Sequence, residues 1–120
     1  MNYSAGKRLR ITRRDDIARL FQLGRRATGD LLTLIAAPND LGFSRAAVAV
    51  SARHGGAVRR NRIKRLCREA FRLTRNELPA GWDYVLMPRL GTDLTTAGLG
   101  ENLRSLAARL KPKAPRGSGP

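Results

Sequence analysis

Residues 56–72 read GAVRRNRIKRLCREAFR, and this stretch decides the fold. Its apolar positions recur at intervals of three and four residues, which is the spacing of one side of an α-helix. They are Ile63, Leu66, Cys67, Ala70 and Phe71, and the pattern continues at Thr74. The pattern predicts a helix over residues 57–74 that packs one side against the rest of the domain.

The other side of this predicted helix is cationic. At about 100° per residue from Ile63, one continuous sector between about 100° and about 260° carries Asn61, Arg62, Lys64, Arg65, Arg68 and Arg72. Only Glu69 is acidic here, and like charges four residues apart destabilise an isolated helix. A charge run is often only a solvated surface, but a row without counter-charges favours an external anion.

Asn61 lies within this cationic sector although asparagine has a poor helix propensity. Its amide donates and accepts, so it can contact a phosphate, a 2′-hydroxyl or a base edge. Alternatively, it caps the first turn. The preceding Gly55-Gly56 pair either points the first helical N–H groups at a phosphate or forms a flexible turn.

The charge of the chain indicates its partner. The 120 residues suit one domain, and 24 Lys and Arg against 9 Asp and Glu give a formal charge of +15. This excess favours a nucleic acid, with an anionic membrane surface or another acidic partner as alternatives. The single cysteine, Cys67, excludes an internal disulfide and fits a reducing compartment. No apolar run approaches the ~18 residues of a membrane span, so we expect a cytoplasmic protein.

The rest of the chain alternates short strands with two further helices. Before residue 57 we expect a basic arm over 1–12, a helix at 13–23 capped by Thr12 and ended by Gly24, and strands at 25–28, 31–37 and 45–51. After residue 74 we expect a strand at 82–87 and a helix capped by Thr95 or Thr96, with Leu99, Leu103, Leu106 and Leu110 inward. The prediction is one mixed α and β domain over 1–110, with a disordered basic tail at 111–120.

The run Arg60-Asn61-Arg62, set in residues 56–72, resembles the Arg-Asn-Arg signature of the bacterial ribonuclease P protein, and the resemblance covers about residues 7–110. It implies an α+β sandwich of order αβββαβα, with a small mixed sheet and a left-handed βαβ crossover. General topology rules would favour a right-handed one. The resemblance also implies a subunit without catalytic residues, whose partners are a catalytic RNA and precursor tRNA. That RNA would remove the 5′ leader of the precursor with magnesium as cofactor.

The resemblance further implies two sets of site residues. The surface for the catalytic RNA would comprise Arg53, Arg59, Arg60, Asn61, Arg62, Lys64, Arg65, Arg68 and Arg72. The leader would lie in a cleft between the first helix and the sheet, lined by Arg13, Ile17, Phe21, Thr33 and Ile35. The family often has aromatic residues where this chain has Ile17 and Ile35. Aliphatic side chains do not stack on bases, so leader contacts here would rely more on shape and charge.

The remaining candidates point away from protein-borne chemistry. We expect His54 in an exposed loop rather than on a phosphate, Cys67 in the core, and Trp82 packed rather than stacked on RNA. The acidic residues are scattered and form no pair with a nearby base. Three alternatives stay open: a general RNA-binding protein, a nuclease with its own metal site, and a helix-turn-helix protein that binds DNA. The strands flanking the basic helix argue against the last of these.

Overall fold

The protein, in a computed structural model that describes residues 10–110, is a sheet with helices on both sides. The elements in chain order are α1 (Arg14–Leu23), β1 (Arg25–Thr28), β2 (Leu32–Pro38), β3 (Arg45–Val48), α2 (Ala57–Thr74), β4 (Trp82–Pro88) and α3 (Thr96–Leu110). Short 3₁₀ turns at Ala52–His54 and Arg75–Glu77 flank α2. The predicted order αβββαβα is confirmed. Most of the predicted arm, residues 1–9, and the predicted tail at 111–120 lie outside the described residues.

The four strands form one mixed sheet in the order β1-β2-β4-β3. β2 pairs antiparallel with both β1 and β4, whereas β3 pairs parallel with β4. The chain therefore leaves β3, passes through α2 and returns beside β3 as its parallel neighbour. This confirms the βαβ crossover that the resemblance implies, while its left-handed course stays a prediction.

The larger core lies between the sheet and the pair α2 and α3. Leu34 and Leu86 from the sheet, Cys67 from α2 and Leu103 from α3 are all completely buried there. The prediction that Cys67 belongs to the core is confirmed, and burial raises the pKa of its thiol to about 12. A thiol with that pKa remains protonated, and so unreactive, at neutral pH.

The smaller core lies under α1 on the opposite side of the sheet, where Leu20 packs against Ile35 and Val85. Gly24 ends α1, as predicted, and its N–H donates to the Leu20 carbonyl at 2.8 Å. A Cβ at Gly24 would lie only 2.5 Å from Cγ2 of Ile35. Glycine is therefore needed here because the chain passes very close to β2.

The sequence misplaced two details of local structure. Thr12 does not cap α1, because Arg13 is the N-cap and makes no side-chain cap bond. The N–H of Ile11 donates to the Ala46 carbonyl at 3.0 Å, which holds this part of the chain extended against β3. The predicted strand at 45–51 is also shorter, because after Val48 only Ala49 N bonds to β4 before the 3₁₀ turn begins.

The start of α3 agrees with the sequence. The hydroxyl of Thr95 accepts a hydrogen bond from the Gly98 N–H at 3.0 Å, which makes Thr95 the cap. The predicted inward leucines are all buried: Leu99, Leu103, Leu106 and Leu110.

Candidate nucleic-acid interface

The inner side of α2 is packed as the sequence pattern predicted. Ile63, Cys67, Ala70 and Phe71 are buried against the sheet and α3, and Leu66 is half-buried. The helix is thereby fixed in rotation about its own axis. Its cationic side consequently has a defined direction, which a loosely attached basic segment would lack.

The outer side of α2 carries the predicted RNA-binding residues. Arg60 and Lys64 are half-buried, and the others are exposed: Arg59, Asn61, Arg62, Arg65, Arg68 and Arg72. Arg53 is exposed in the 3₁₀ turn that leads into the helix. Gly56 is the N-cap and has no side-chain cap, so the alternative role of Asn61 as a capping residue is wrong. The amide of Asn61 instead lies among the cations.

Arg72 differs from the other cations on this side. Its Nη2 lies 2.7 Å from Oε2 of Glu69 and its Nε donates to Oε1 at 3.1 Å. This hydrogen-bonded pair raises the pKa of Arg72 and lowers the pKa of Glu69. Within residues 10–110, the Arg72–Glu69 pair is the one ion pair formed on this side of α2.

A groove runs between the outer side of α2 and the edge of the sheet. Asn61, Arg65 and Arg68 form the helix wall, and Arg10 lies in the opposite wall beside Ala46 and Val48 of β3. Partial loss of solvent around its guanidinium lowers the pKa of Arg68, and the nearby charge of Arg10 lowers it further. The guanidinium group of Arg68 still remains charged at neutral pH. Two cations that repel each other beside an apolar floor make this groove a suitable place for a phosphate.

The sequence did not identify Arg10 as a site residue. It counted Arg10 in the basic arm, with no indication of where the arm lies. Arg10 reaches the groove because it forms a parallel bridge with Ala46 on the free edge of β3. No local sequence pattern predicts a single bridge of this kind, because Ala46 is far from Arg10 along the chain.

The second candidate site is the open part of the sheet beside α1. Ile17 and Thr33 are half-buried, Arg13 is exposed, and Phe21 keeps 42% of its surface exposed. The helix covers Ile35 completely, so the prediction that Ile35 contacts a bound strand is wrong. Ile35 instead belongs to the packing that supports α1.

The sheet surface next to the buried Ile35 carries both polar and apolar side chains. Thr33 lies opposite Met87 in the register of β2 and β4, on the same side of the sheet as Ile35. The hydroxyls of Thr28 and Thr33 lie 3.0 Å apart and form a hydrogen bond across β1 and β2. An extended RNA strand on this surface would meet hydroxyl groups, a thioether and one exposed aromatic ring.

His54 and Trp82 have structural surroundings. His54 is half-buried, and its Nε2 lies 3.0 Å from the Pro88 carbonyl oxygen, so the prediction of an exposed loop residue is wrong. The contact ties the 3₁₀ turn before α2 to the end of β4. Trp82 is half-buried and packs against the larger core, as predicted.

Two structural features were sought in the described part of the chain: a cluster of metal-ligating side chains and a membrane-spanning helix. Residues 10–110 contain no group of three or more His, Cys, Asp or Glu side chains that could hold a metal ion. None of the helices described there is long and apolar enough to cross a membrane.

The fold and the sided basic helix together define a small α/β protein with a cationic surface of the kind that binds nucleic acid. The family model named Ribonuclease P matches residues 6–111. The chain therefore belongs to the ribonuclease P protein family, whose members are protein components of the endoribonuclease that processes the 5′ ends of tRNA.

Individual relatives agree with this assignment. The chain is 44% identical over 80 residues to the ribonuclease P protein component of Dehalococcoides mccartyi, covering 67% of this chain and 65% of that protein. It is 39% identical over 83 residues to that of Syntrophus aciditrophicus, covering 69% of this chain and 70% of the relative.

Two solved structures share the fold. The ribonuclease P protein of Thermotoga maritima matches with a TM-score of 0.75 and 28% identity, over 86% of this chain and 98% of that one. That of Staphylococcus aureus matches with a TM-score of 0.73 and 25% identity, over 86% of this chain and 98% of that one. The predicted family and fold class are thus confirmed.

Proposed function

We propose that this chain is the protein subunit of a ribonuclease P ribonucleoprotein in the cytoplasm. It binds the catalytic RNA through the outer side of α2 and the 5′ leader of precursor tRNA in the cleft beside α1. In doing so it assists magnesium-dependent removal of the leader. The observation that carries the proposal is the one-sided cationic surface of α2, with Asn61 within it, in a chain of this family.

The contact with the catalytic RNA is mainly electrostatic. Arg65 and Arg68 line the groove and form no ion pair with another residue of the described range. Their guanidinium groups can bind phosphate oxygens in a bidentate manner and displace condensed counterions from the RNA. Asn61 adds a neutral donor and acceptor for a 2′-hydroxyl or a base edge. Arg72 contributes less, because Glu69 already occupies its guanidinium.

The contact with the leader uses a different surface. Phe21 of α1 supplies an exposed aromatic ring, and stacking of such a ring on one base is worth about 1–3 kcal/mol. Arg13 extends the same helix at its N-terminal end and can contact a phosphate. Ile17 and Thr33 offer shape and a hydroxyl rather than a second stacking surface.

The chemistry of cleavage belongs to the RNA in this proposal. We assign the magnesium mainly to the RNA partner; residues 10–110 contain no group of three or more His, Cys, Asp or Glu side chains that could hold a metal ion. The protein contributes positive charge where two RNAs meet, which reduces phosphate repulsion and lowers the magnesium concentration that the complex requires. We also propose that residues 1–110 form one domain, with a basic arm at 1–12 and a basic tail at 111–120.

A cleavage assay at low magnesium tests this function. Catalytic RNA is incubated with precursor tRNA with and without the protein, and the protein is also incubated with the substrate alone. We expect the protein to raise the rate of leader removal only when the catalytic RNA is present. Cleavage by the pure protein would favour a nuclease with its own site, and no stimulation would favour a general RNA-binding protein.

A further inference from the structure

An ionic cluster on the α1 side of the sheet joins that helix to the strands. Arg45 begins β3 and lies opposite Asp83 of β4 in the parallel register. Nε of Arg45 donates to Asp83 Oδ1 at 2.9 Å, and Nη2 donates to Oδ2 at 2.7 Å. The same Nη2 lies 3.7 Å from Oδ2 of Asp16, which belongs to the first turn of α1.

The sheet half of this cluster is held firmly. Asp83 is buried, and it accepts a further hydrogen bond from the Asn39 side chain at 2.8 Å. The amide of Asn39 also donates to the Phe43 carbonyl at 3.1 Å, which ties the cluster to the loop between β2 and β3. A bidentate guanidinium–carboxylate pair of this kind fixes both the position and the plane of the Arg45 head group.

The helix half of the cluster is more adjustable. Asp16 is partly exposed, and its 3.7 Å separation from Arg45 is that of an ion pair rather than of a short hydrogen bond. At its other end α1 is fixed by Gly24, where the chain touches Ile35. Two of the residues that we place in the leader cleft, Ile17 and Phe21, lie between these two attachments.

We propose that Asp16 and Arg45 are positioning residues for the leader cleft. The Arg45 head group, anchored by Asp83, holds the first turn of α1 at a set distance from the sheet. That distance determines the positions of Ile17 and Phe21 relative to a bound RNA strand. The inference rests on the proposed function, because it assigns to this cluster the geometry of the leader-binding surface.

Two substitutions that each remove one negative charge distinguish a positioning role of Asp16 from a general effect of its charge. Asp16→Asn removes the ion pair, and Asp15→Asn removes the same charge from the same helical turn, where no ion pair is described for Asp15. Each reconstituted holoenzyme is titrated with precursor tRNA and with mature tRNA, and the ratio of the two affinities gives the contribution of the leader. Thermal unfolding shows whether each variant folds, and Asp16→Ser serves as a second neutral variant if Asp16→Asn does not.

We expect Asp16→Asn to reduce the leader contribution by about threefold to fivefold, the upper range for one partly exposed ion pair. Asp15→Asn should leave it unchanged, and Asp16→Glu should retain it because the carboxylate still reaches Arg45. Binding to the catalytic RNA alone should be equal in all variants. Equal leader contributions for Asp16→Asn and Asp15→Asn would overturn this inference but leave the proposed function standing. A wild-type holoenzyme without any leader contribution would overturn the leader-binding part of the proposed function as well.

Discussion

The salt dependence of RNA binding tests the groove beside α2 most directly. Replacing Arg65 and Arg68 by Ala removes two cations from its wall without touching the buried side of the helix. Each phosphate contact contributes about 0.7 to 0.9 to the slope of log affinity against log salt, so the slope should fall by about 1.4 to 1.8. Between 50 and 200 mM salt, wild type should therefore lose roughly tenfold more affinity than the variant.

The matching control removes the same charge elsewhere. Arg104 and Arg109 are exposed on α3, outside the groove, and their double replacement by Ala also lowers the net charge by two. Catalytic RNA is titrated with each protein at four or more monovalent salt concentrations. If both double variants flatten the slope equally, RNA binding depends on overall charge and the assigned surface is wrong. An unchanged slope in the groove variant would contradict the phosphate contacts themselves.

Three further predictions concern the cleft and the cores. Phe21→Ala should weaken binding of precursor tRNA by about 1–3 kcal/mol and leave mature tRNA unaffected, whereas Leu23→Ala, on the same helix, should change neither titration. Gly24→Ala should lower the free energy of unfolding measured in urea, because the new Cβ meets Ile35 at 2.5 Å, and an unchanged midpoint would refute this close approach. The free energy of unfolding should fall as the pH rises above about 8.5, since the unfolded chain then loses the Cys67 proton that the native state keeps up to about 12. Cys67→Ala should remove this part of the pH dependence, at most about 1.4 kcal/mol per pH unit, and identical pH profiles for both proteins would contradict it.

Local signals in the sequence predicted most of the fold. The spacing of Ile63, Cys67 and Phe71 gave the bounds and the buried side of α2, because helix periodicity is a property of neighbouring residues. The alternation of Val and Ala at 45–51 predicted β3, although the strand ends at Val48. Where a strand stops depends on how far its partner extends, and the partner is not encoded nearby.

The mistakes in the site share one physical cause. Ile35 was assigned to the cleft, but α1 covers it. His54 was assigned to an exposed loop, but it contacts the Pro88 carbonyl 34 residues away. Arg10 was assigned to the arm, but a bridge to Ala46 brings it into the groove. Each outcome is set by a tertiary contact between distant segments, and residue type and local spacing carry no information about such contacts.

The strand β3 contributes side chains to both sides of the sheet, on which the two proposed RNA surfaces lie. Successive side chains of a strand point to opposite sides of the sheet. Ala46 and Val48 therefore form the floor of the groove beside α2, whereas Arg45 and Ala47 face the side that α1 covers. The two surfaces lie on opposite sides of one four-stranded sheet, so the sheet fixes their relative position. In the function that we propose, this arrangement would hold the leader at a set place relative to the catalytic RNA.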